Sequence, residues 1–262
     1  MSEASITLLN VDGTYQQQKQ LRTLYSHQWI NLSDIRGKNL FCDEAAYQEL
    51  CRRIEAYPPT PVYFLGSGNF HYLSYYLLSQ LQHPFTLLLF DHHSDMLERD
   101  QLLTCGSWVS RALRTLPFLE QVIIIGTHPH AKNAIQADLQ NRVQIFSEDQ
   151  CQPSNIDKAL MHLSTPSLYI SVDKDVFSEH YAKTNWDQGS LTLPAFERIL
   201  SKVIQRFSIE GIDICGEWPA TPQTQHTPSH LLFTQKNERT NLALLKLLLT
   251  INKTAPSLPF TN

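Results

Sequence analysis

The chain has 262 residues, of which 42% are hydrophobic, and a net charge of -4. That is enough apolar material for one large α/β core. An acidic balance with no Lys/Arg block argues against nucleic acid or an anionic membrane as partner. No apolar run reaches the roughly 18 residues of a membrane span, and MSEASITLLN lacks the basic n-region of a signal peptide. Cys42, Cys51, Cys105, Cys151 and Cys215 are odd in number, far apart and without a CxxC pair. They read as free thiols of a cytoplasmic protein.

In chain order, Ile6–Asn10 predicts a first strand, closed by the turn pair Asp12-Gly13. Residues 14–40 are polar and weakly periodic and predict no element. Residues 43–57 read as a helix with Asp43 as cap and Pro58-Pro59 as stop. A short strand at 62–65 ends in Gly66-Ser67-Gly68, and Asn69 then caps a helix running to Gln82 with His71 in its first turn. Phe85–Phe90 shows no polar alternation, the pattern of a strand buried on both faces. Further strands are predicted at 122–125, 143–146, 168–172 and 211–215. Helices are predicted at 106–116, 131–140, 156–163, 194–207 (Pro194 in its first turn) and 239–251. Strands alternating with helices imply right-handed crossovers and a three-layer αβα fold with a mostly parallel sheet. With no internal repeat or linker, residues 1–262 read as a single domain. The loop 178–190 is long and aperiodic, as functional loops beside strand ends often are.

Open α/β sheets place their sites at the carboxyl ends of strands. Here Phe85–Phe90 runs into Asp91-His92-His93-Ser94-Asp95. If the chain stays extended, Asp91, His93 and Asp95 fall on one side, and carboxylates that close together need a cation. His71, the pair Asp173/Asp175 and Glu217 follow other strands, so all would meet at one sheet edge. The carboxylates are too many for an ordinary zinc site. Oxygen-rich ligation with some imidazole suits Mn²⁺ better. The set is large enough for two ions sharing an aspartate, and a pair roughly 3.5–4 Å apart would activate a bridging water.

Gly66-Ser-Gly-Asn-Phe-His71, Asp91-His-His-Ser-Asp95 and Ser171-Val-Asp-Lys-Asp175 resemble the three metal-binding motifs of the arginase/agmatinase/formiminoglutamase family, the ureohydrolases. Glu217, in Asp213-Ile-Cys-Gly-Glu-Trp-Pro219, resembles the family's late substrate-binding glutamate, and order and spacing fit over residues 62–219. The resemblance implies an arginase-like fold with two Mn²⁺ ions per chain. His71, Asp91, Asp95 and Asp173 would hold one ion and Asp91, His93, Asp173 and Asp175 the other, with Asp91 and Asp173 bridging. A metal-bridging hydroxide would then cleave a C–N bond of a guanidino, amidino or formimino compound, and Glu217 would hold its cationic group by charge-assisted hydrogen bonds. His92 is expected beside the ligands in a structural role. The partner is a small guanidino or amidino molecule, and a homo-oligomer is left open.

The chain also departs from the family. Cys105, in Thr104-Cys-Gly-Ser-Trp108, stands where the family has a proton-shuttling histidine. Its thiol either shuttles the proton or packs as a small buried side chain. Gly126-Thr-His-Pro-His130 replaces an Arg-Asp pattern, so His128 or His130 either supplies acid–base chemistry or only shapes a loop. The family's Asp-Pro after the Asp-x-Asp motif is missing, and Thr184-Asn-Trp-Asp-Gln-Gly189 replaces a glycine-rich loop. There Trp186 and Asp187 would pinch a substrate cation, or Trp186 would pack on the loop. Two rivals remain. The letters Asp-His-His are similar to DHH phosphoesterases, but those place an Asp-x-Asp motif earlier and here Asp173-x-Asp175 comes later. The other rival is a metal-binding or regulatory protein without turnover, which the replacement of histidine by Cys105 favours.

Overall fold

The computed structural model describes residues 5–98, 102–161 and 163–251. β1 (Ile6–Asn10) leads through α1 (Lys19–Leu24) to β2 (His27–Asn31), and β3 (Phe41–Cys42) precedes α2 (Glu44–Glu55). β4 (Val62–Phe64), α3 (Leu73–Ser79), β5 (Phe85–Phe90), β6 (Leu103–Thr104), α4 (Trp108–Thr115), β7 (Leu119–Thr127) and β8 (Val143–Ser147) follow. α5 (Pro153–Leu160), β9 (Ser167–Asp173), α6 (Leu193–Arg206), β10 (Ser208–Cys215) and α7 (Pro228–Ile251) complete the described elements. Eight strands form one sheet in the order β2-β1-β4-β10-β9-β5-β7-β8, and every pairing in it is parallel. β3 and β6 form a separate antiparallel pair.

All six residues of β5 are buried, and alternate side chains enter two different cores. Leu87 and Leu89 pack with residues of α2, α3 and α4; Leu88 and Phe90 pack with residues of α5, α6 and α7. This is the three-layer arrangement expected of an apolar strand with no alternation. Each leucine so buried stabilises the fold by roughly 1.5–3 kcal/mol relative to exposure.

Side-chain chemistry sets the helix starts. Asp43 accepts from Ala46 N at 2.8 Å at the head of α2, and Thr192 caps α6 with Pro194 in its first turn. Elsewhere the structure corrects the sequence reading. The polar stretch 14–40 contains α1 and the edge strand β2, whose mostly half-exposed residues give no apolar pattern. Residues 131–140 are not a helix: two single 3-10 turns, Ala131–Ala134 and Gln140–Arg142, bury no residue, so no apolar face holds a longer helix. Asn69 is not a cap, because it lies within the 3-10 turn Gly68–Phe70 and α3 starts only at Leu73. α7 begins eleven residues before Arg239, since Asn237 and His230 are buried there and break the apolar period.

Candidate metal centre and active site

The carboxyl ends of β5 and β9 lie side by side, with Phe90 paired to Val172, so the two acidic segments leave the sheet together. The chain does not stay extended after Phe90. Asp91 Oδ1 accepts from His93 N at 2.6 Å, and Asp95 adopts a left-handed φ of 51°. Turns therefore bring Asp91, His93 and Asp95 together, not the strand alternation expected. Such a φ is uncommon for a residue other than glycine and persists where surroundings impose it. Here Trp108 Nε1 donates to Asp95 Oδ2 at 2.6 Å and Val109 N donates to Asp95 O at 3.1 Å. The start of α4 thus holds the carboxylate in place.

Two groups of ligand atoms result, each lying within 4.8 Å: His71 with Asp91 and Asp95, and Asp91 with His93 and Asp175. Asp91 belongs to both. His71 Nδ1 lies 3.2 Å from Asp91 Oδ2, 3.0 Å from Asp95 Oδ2 and 3.6 Å from Asp173 Oδ2. His93 Nδ1 lies 2.9 Å from Asp175 Oδ2 and 3.5 Å from Asp91 Oδ1. A third group contains His71, Asp173 and Cys215; the Cys215 thiol, which the sequence reading did not single out, donates to Asp173 Oδ2 at 3.1 Å. The alternation along β10 could have shown it, since Asp213 and Cys215 share a face.

The outer nitrogens fix both imidazoles. His71 Nε2 is 2.9 Å from Ser171 Oγ, whose proton goes to Asp213 Oδ1 at 2.7 Å. Nε2 therefore carries the hydrogen and Nδ1 faces the carboxylates. His93 Nε2 is 3.1 Å from Asp187 Oδ1 and does the same. Outer partners of this kind orient metal-ligating histidines.

Without cations this cluster is electrostatically costly. Burial, then the charges of Asp175 and Asp91, push Asp173 up to about 7. Burial and Asp91 push Asp175 up to about 6. Burial opposes the charged form of His93, but Asp175 and Asp91 hold it well above its ordinary range. Asp91 Oδ2 is buried and has no hydrogen-bond donor. An orphaned carboxylate oxygen inside a ring of carboxylates and inward-facing imidazoles fits divalent cations, and oxygen-rich donors suit manganese better than zinc.

The centre lies at the floor of a cavity of about 380 Å³. Cys105, His128 and Trp186 line it together with His71, Asp91, His93, Asp95, Asp173 and Asp175. Burial pushes the Cys105 thiol up to about 12, with Asp95 adding to it. His92 packs edge-on against His128, and its Nδ1 is 3.2 Å from Gly126 O. His130 is not part of the lining; its N–H donates to His128 Nδ1 at 3.3 Å. Trp186 Nε1 donates to Asn69 Oδ1 at 3.0 Å, and its ring meets His93 edge-on. Asp187 Oδ1 is bonded to His93 Nε2, and of the two residues expected to pinch a cation Trp186 lines the cavity.

Glu217 does not reach the cavity. It is 1% exposed, and its Oε1 accepts from Lys174 Nζ and, at 2.6 Å, from Asn241 Nδ2. Gly216 explains the turn: its φ is +83°, which reverses the alternation that puts Asp213 and Cys215 on the metal side. A Cβ there would sit 2.4 Å from Asp173 Oδ1, so no larger residue fits without a shift.

Sheet order, strand-end carboxylates and inward imidazoles define an arginase-like αβα protein with a candidate dinuclear metal centre. The sequence model of the Arginase family matches residues 5–234, and the chain belongs to that family. An uncharacterized protein of Thermotoga maritima is 32% identical over 93% of this chain and 89% of its own. Formimidoylglutamase from Bacillus subtilis superposes with a TM-score of 0.71 at 15% identity, covering 97% of this chain and 88% of that one. The agmatine ureohydrolase of Thermoplasma volcanium gives 0.64 at 14% identity, covering 96% and 90%. Helicobacter pylori arginase also gives 0.64 at 14%, covering 95% and 99%. At these identities the solved structures bear on the fold. Among the described residues, no helix is long and apolar enough to cross a membrane.

Proposed function

We propose that the protein is a manganese-dependent hydrolase of the ureohydrolase type that cleaves a C–N bond of a guanidino, amidino or formimino compound. The observation that carries this reading is the shared position of Asp91 between two groups of inward-facing ligand atoms. His71, Asp91, Asp95 and Asp173 would hold one ion, and Asp91, His93, Asp173 and Asp175 the other. When bound, the pair supplies Lewis acidity and an activated water. The chain's own residues set the geometry. Ser171 and Asp213 keep His71 Nδ1 facing inward, Asp187 does so for His93, and Trp108 fixes Asp95. Hydrolysis adds water across the C–N bond and sends a proton out with the amine. His128, which lines the cavity, is a candidate to carry that proton. The free thiols support a cytoplasmic setting.

The test is metal analysis paired with turnover. Protein loaded with Mn²⁺ should bind two equivalents and hydrolyse at least one member of a broad guanidino and amidino panel, while Asp91→Ala should lose both ions and all turnover. Full metal content in Asp91→Ala would overturn the ligand set. A second reading, a metal-binding protein without turnover, is favoured by Cys105, which stands on the cavity wall where the resemblance implies a proton-shuttling histidine. Two bound ions with no turnover across the panel would decide for it.

A further inference from the structure

The cavity above the centre carries a second message, about the part of the substrate that does not react. Among the described residues, its lining holds no Lys or Arg, and its only carboxylates are the four expected ligands. Glu217 is turned away and held by Lys174 and Asn241, and Asp187 is bonded to His93. The wall that remains includes His92, Ser94, Thr104, Cys105 and His128, and carries the apolar side chains Leu40, Phe41, Leu97, Ala131 and Trp186. Three of these are large hydrophobic side chains left in contact with solvent: Phe41 is 50% exposed, Leu97 51% and Trp186 37%.

The local structure holds this mouth open on purpose-built supports. Phe41 stands on the two-stranded β3–β6 pair, which the Cys105 N to Leu40 O hydrogen bond of 3.1 Å extends. Leu40 itself has a left-handed φ of 65°. Leu97 N donates to Gly106 O at 2.8 Å, and a Cβ on Gly106 would sit 3.1 Å from Leu97 Cδ1, so the glycine makes room for the leucine. Trp186 is pinned by Asn69. Exposed apolar groups converging on one cavity rim mark a binding surface, and here the rim is continuous with the metal floor.

We infer that the mouth formed by Phe41, Leu97 and Trp186 is a subsite for an apolar, uncharged substrate arm, so that the preferred substrate is a guanidino or amidino compound with an alkyl or aryl tail and no amino-acid head or second cation. A charged tail would be stripped of water against these side chains, and among the described lining residues the only carboxylates are the expected metal ligands. An alkyl tail would cover them. The inference rests on the proposed reaction only for the identity of the reacting group.

The experiment uses the full-length protein loaded with Mn²⁺. Straight-chain alkylguanidines from methyl to hexyl, together with agmatine and arginine, are titrated calorimetrically and assayed for hydrolysis. Affinity should rise with chain length, by about fourfold for each methylene that enters the cavity. It should fall back toward the methylguanidine value in Phe41→Asn and Leu97→Asn, whose metal content stays at that of the wild type. Both positions are exposed, so the variants should fold. Affinity that is flat with length, or agmatine or arginine bound more tightly than hexylguanidine, overturns the subsite. Length-dependent binding with no hydrolysis of any compound supports the subsite and sinks the reaction. Hydrolysis that favours arginine or agmatine does the reverse.

Discussion

Lys174 and Glu217 show how strongly one residue's direction can decide a role. Both side chains are buried, and the ammonium, the carboxylate and Asn241 satisfy one another. Removing one partner of such a pair leaves an uncompensated charge and costs about 3–5 kcal/mol, whereas removing both is far milder. Lys174→Met should therefore destabilise the protein by that amount in urea denaturation, and Lys174→Met/Glu217→Gln should recover most of it. If Glu217 read the substrate, Glu217→Gln alone would weaken substrate binding while the fold held, and this geometry predicts the opposite. Cys105 is the other residue whose role turns on its surroundings. A thiol pushed up to about 12 offers no thiolate at neutral pH. Cys105→Ala should keep its metal content and most of its turnover. A loss of about 10²-fold or more in kcat, with His128→Ala near wild type, would assign the acid–base role to the thiol.

Elements were legible in the sequence where one physical signal dominated. The run Phe85–Phe90, apolar or β-prone throughout, gave an inner strand, and Asp43 and Pro194 marked helix starts. The residues expected to hold metal could be read from strand ends because a parallel sheet gathers those ends at one edge. Their arrangement could not, because it depends on turns: the left-handed Asp95 and Gly216 break the period of two from which orientation was inferred. Edge strand β2 and the 3-10 turns after β7 were hidden because they bury too little to leave a pattern. Gly216 gives this a test. Alanine there combines a left-handed φ, costing roughly 1–2 kcal/mol, with a clash against Asp173 Oδ1. Gly216→Ala should lower stability by at least that amount and weaken Mn²⁺ binding, read by equilibrium dialysis. Unchanged metal affinity would mean that Asp173 is not a ligand.

At the scale of the whole molecule, the carboxylate cluster should tie stability to pH and to metal. The Asp91, Asp95, Asp173 and Asp175 carboxylates are nearly buried at the floor of the cavity, where little water screens them from one another. In the metal-free protein Asp173 is raised from 3.8 to about 7 and Asp175 from 3.8 to about 6, chiefly by burial. Between about pH 4 and pH 7 the folded chain thus holds more protons than the unfolded one, and its stability falls as pH rises. His71 and His93 are raised above 6.5 against the opposing effect of burial. Their contribution is full below 6.5 and is lost at higher pH, which is the same direction. Metal ions replace these protons, so their affinity climbs with pH. A site filled at 100-fold over its Kd adds about 2.7 kcal/mol, and each kcal/mol moves the melting point of a chain near this size by roughly 2–4 °C. The chelated protein should therefore melt progressively lower from pH 5 to pH 8, and the gap between Mn²⁺-loaded and chelated protein should widen over the same range. Scanning calorimetry at several pH values, in matched buffers with and without chelator, measures both curves. Coincident curves at pH 8, or a gap that narrows as pH rises, would mean that the carboxylate ring does not carry the ions.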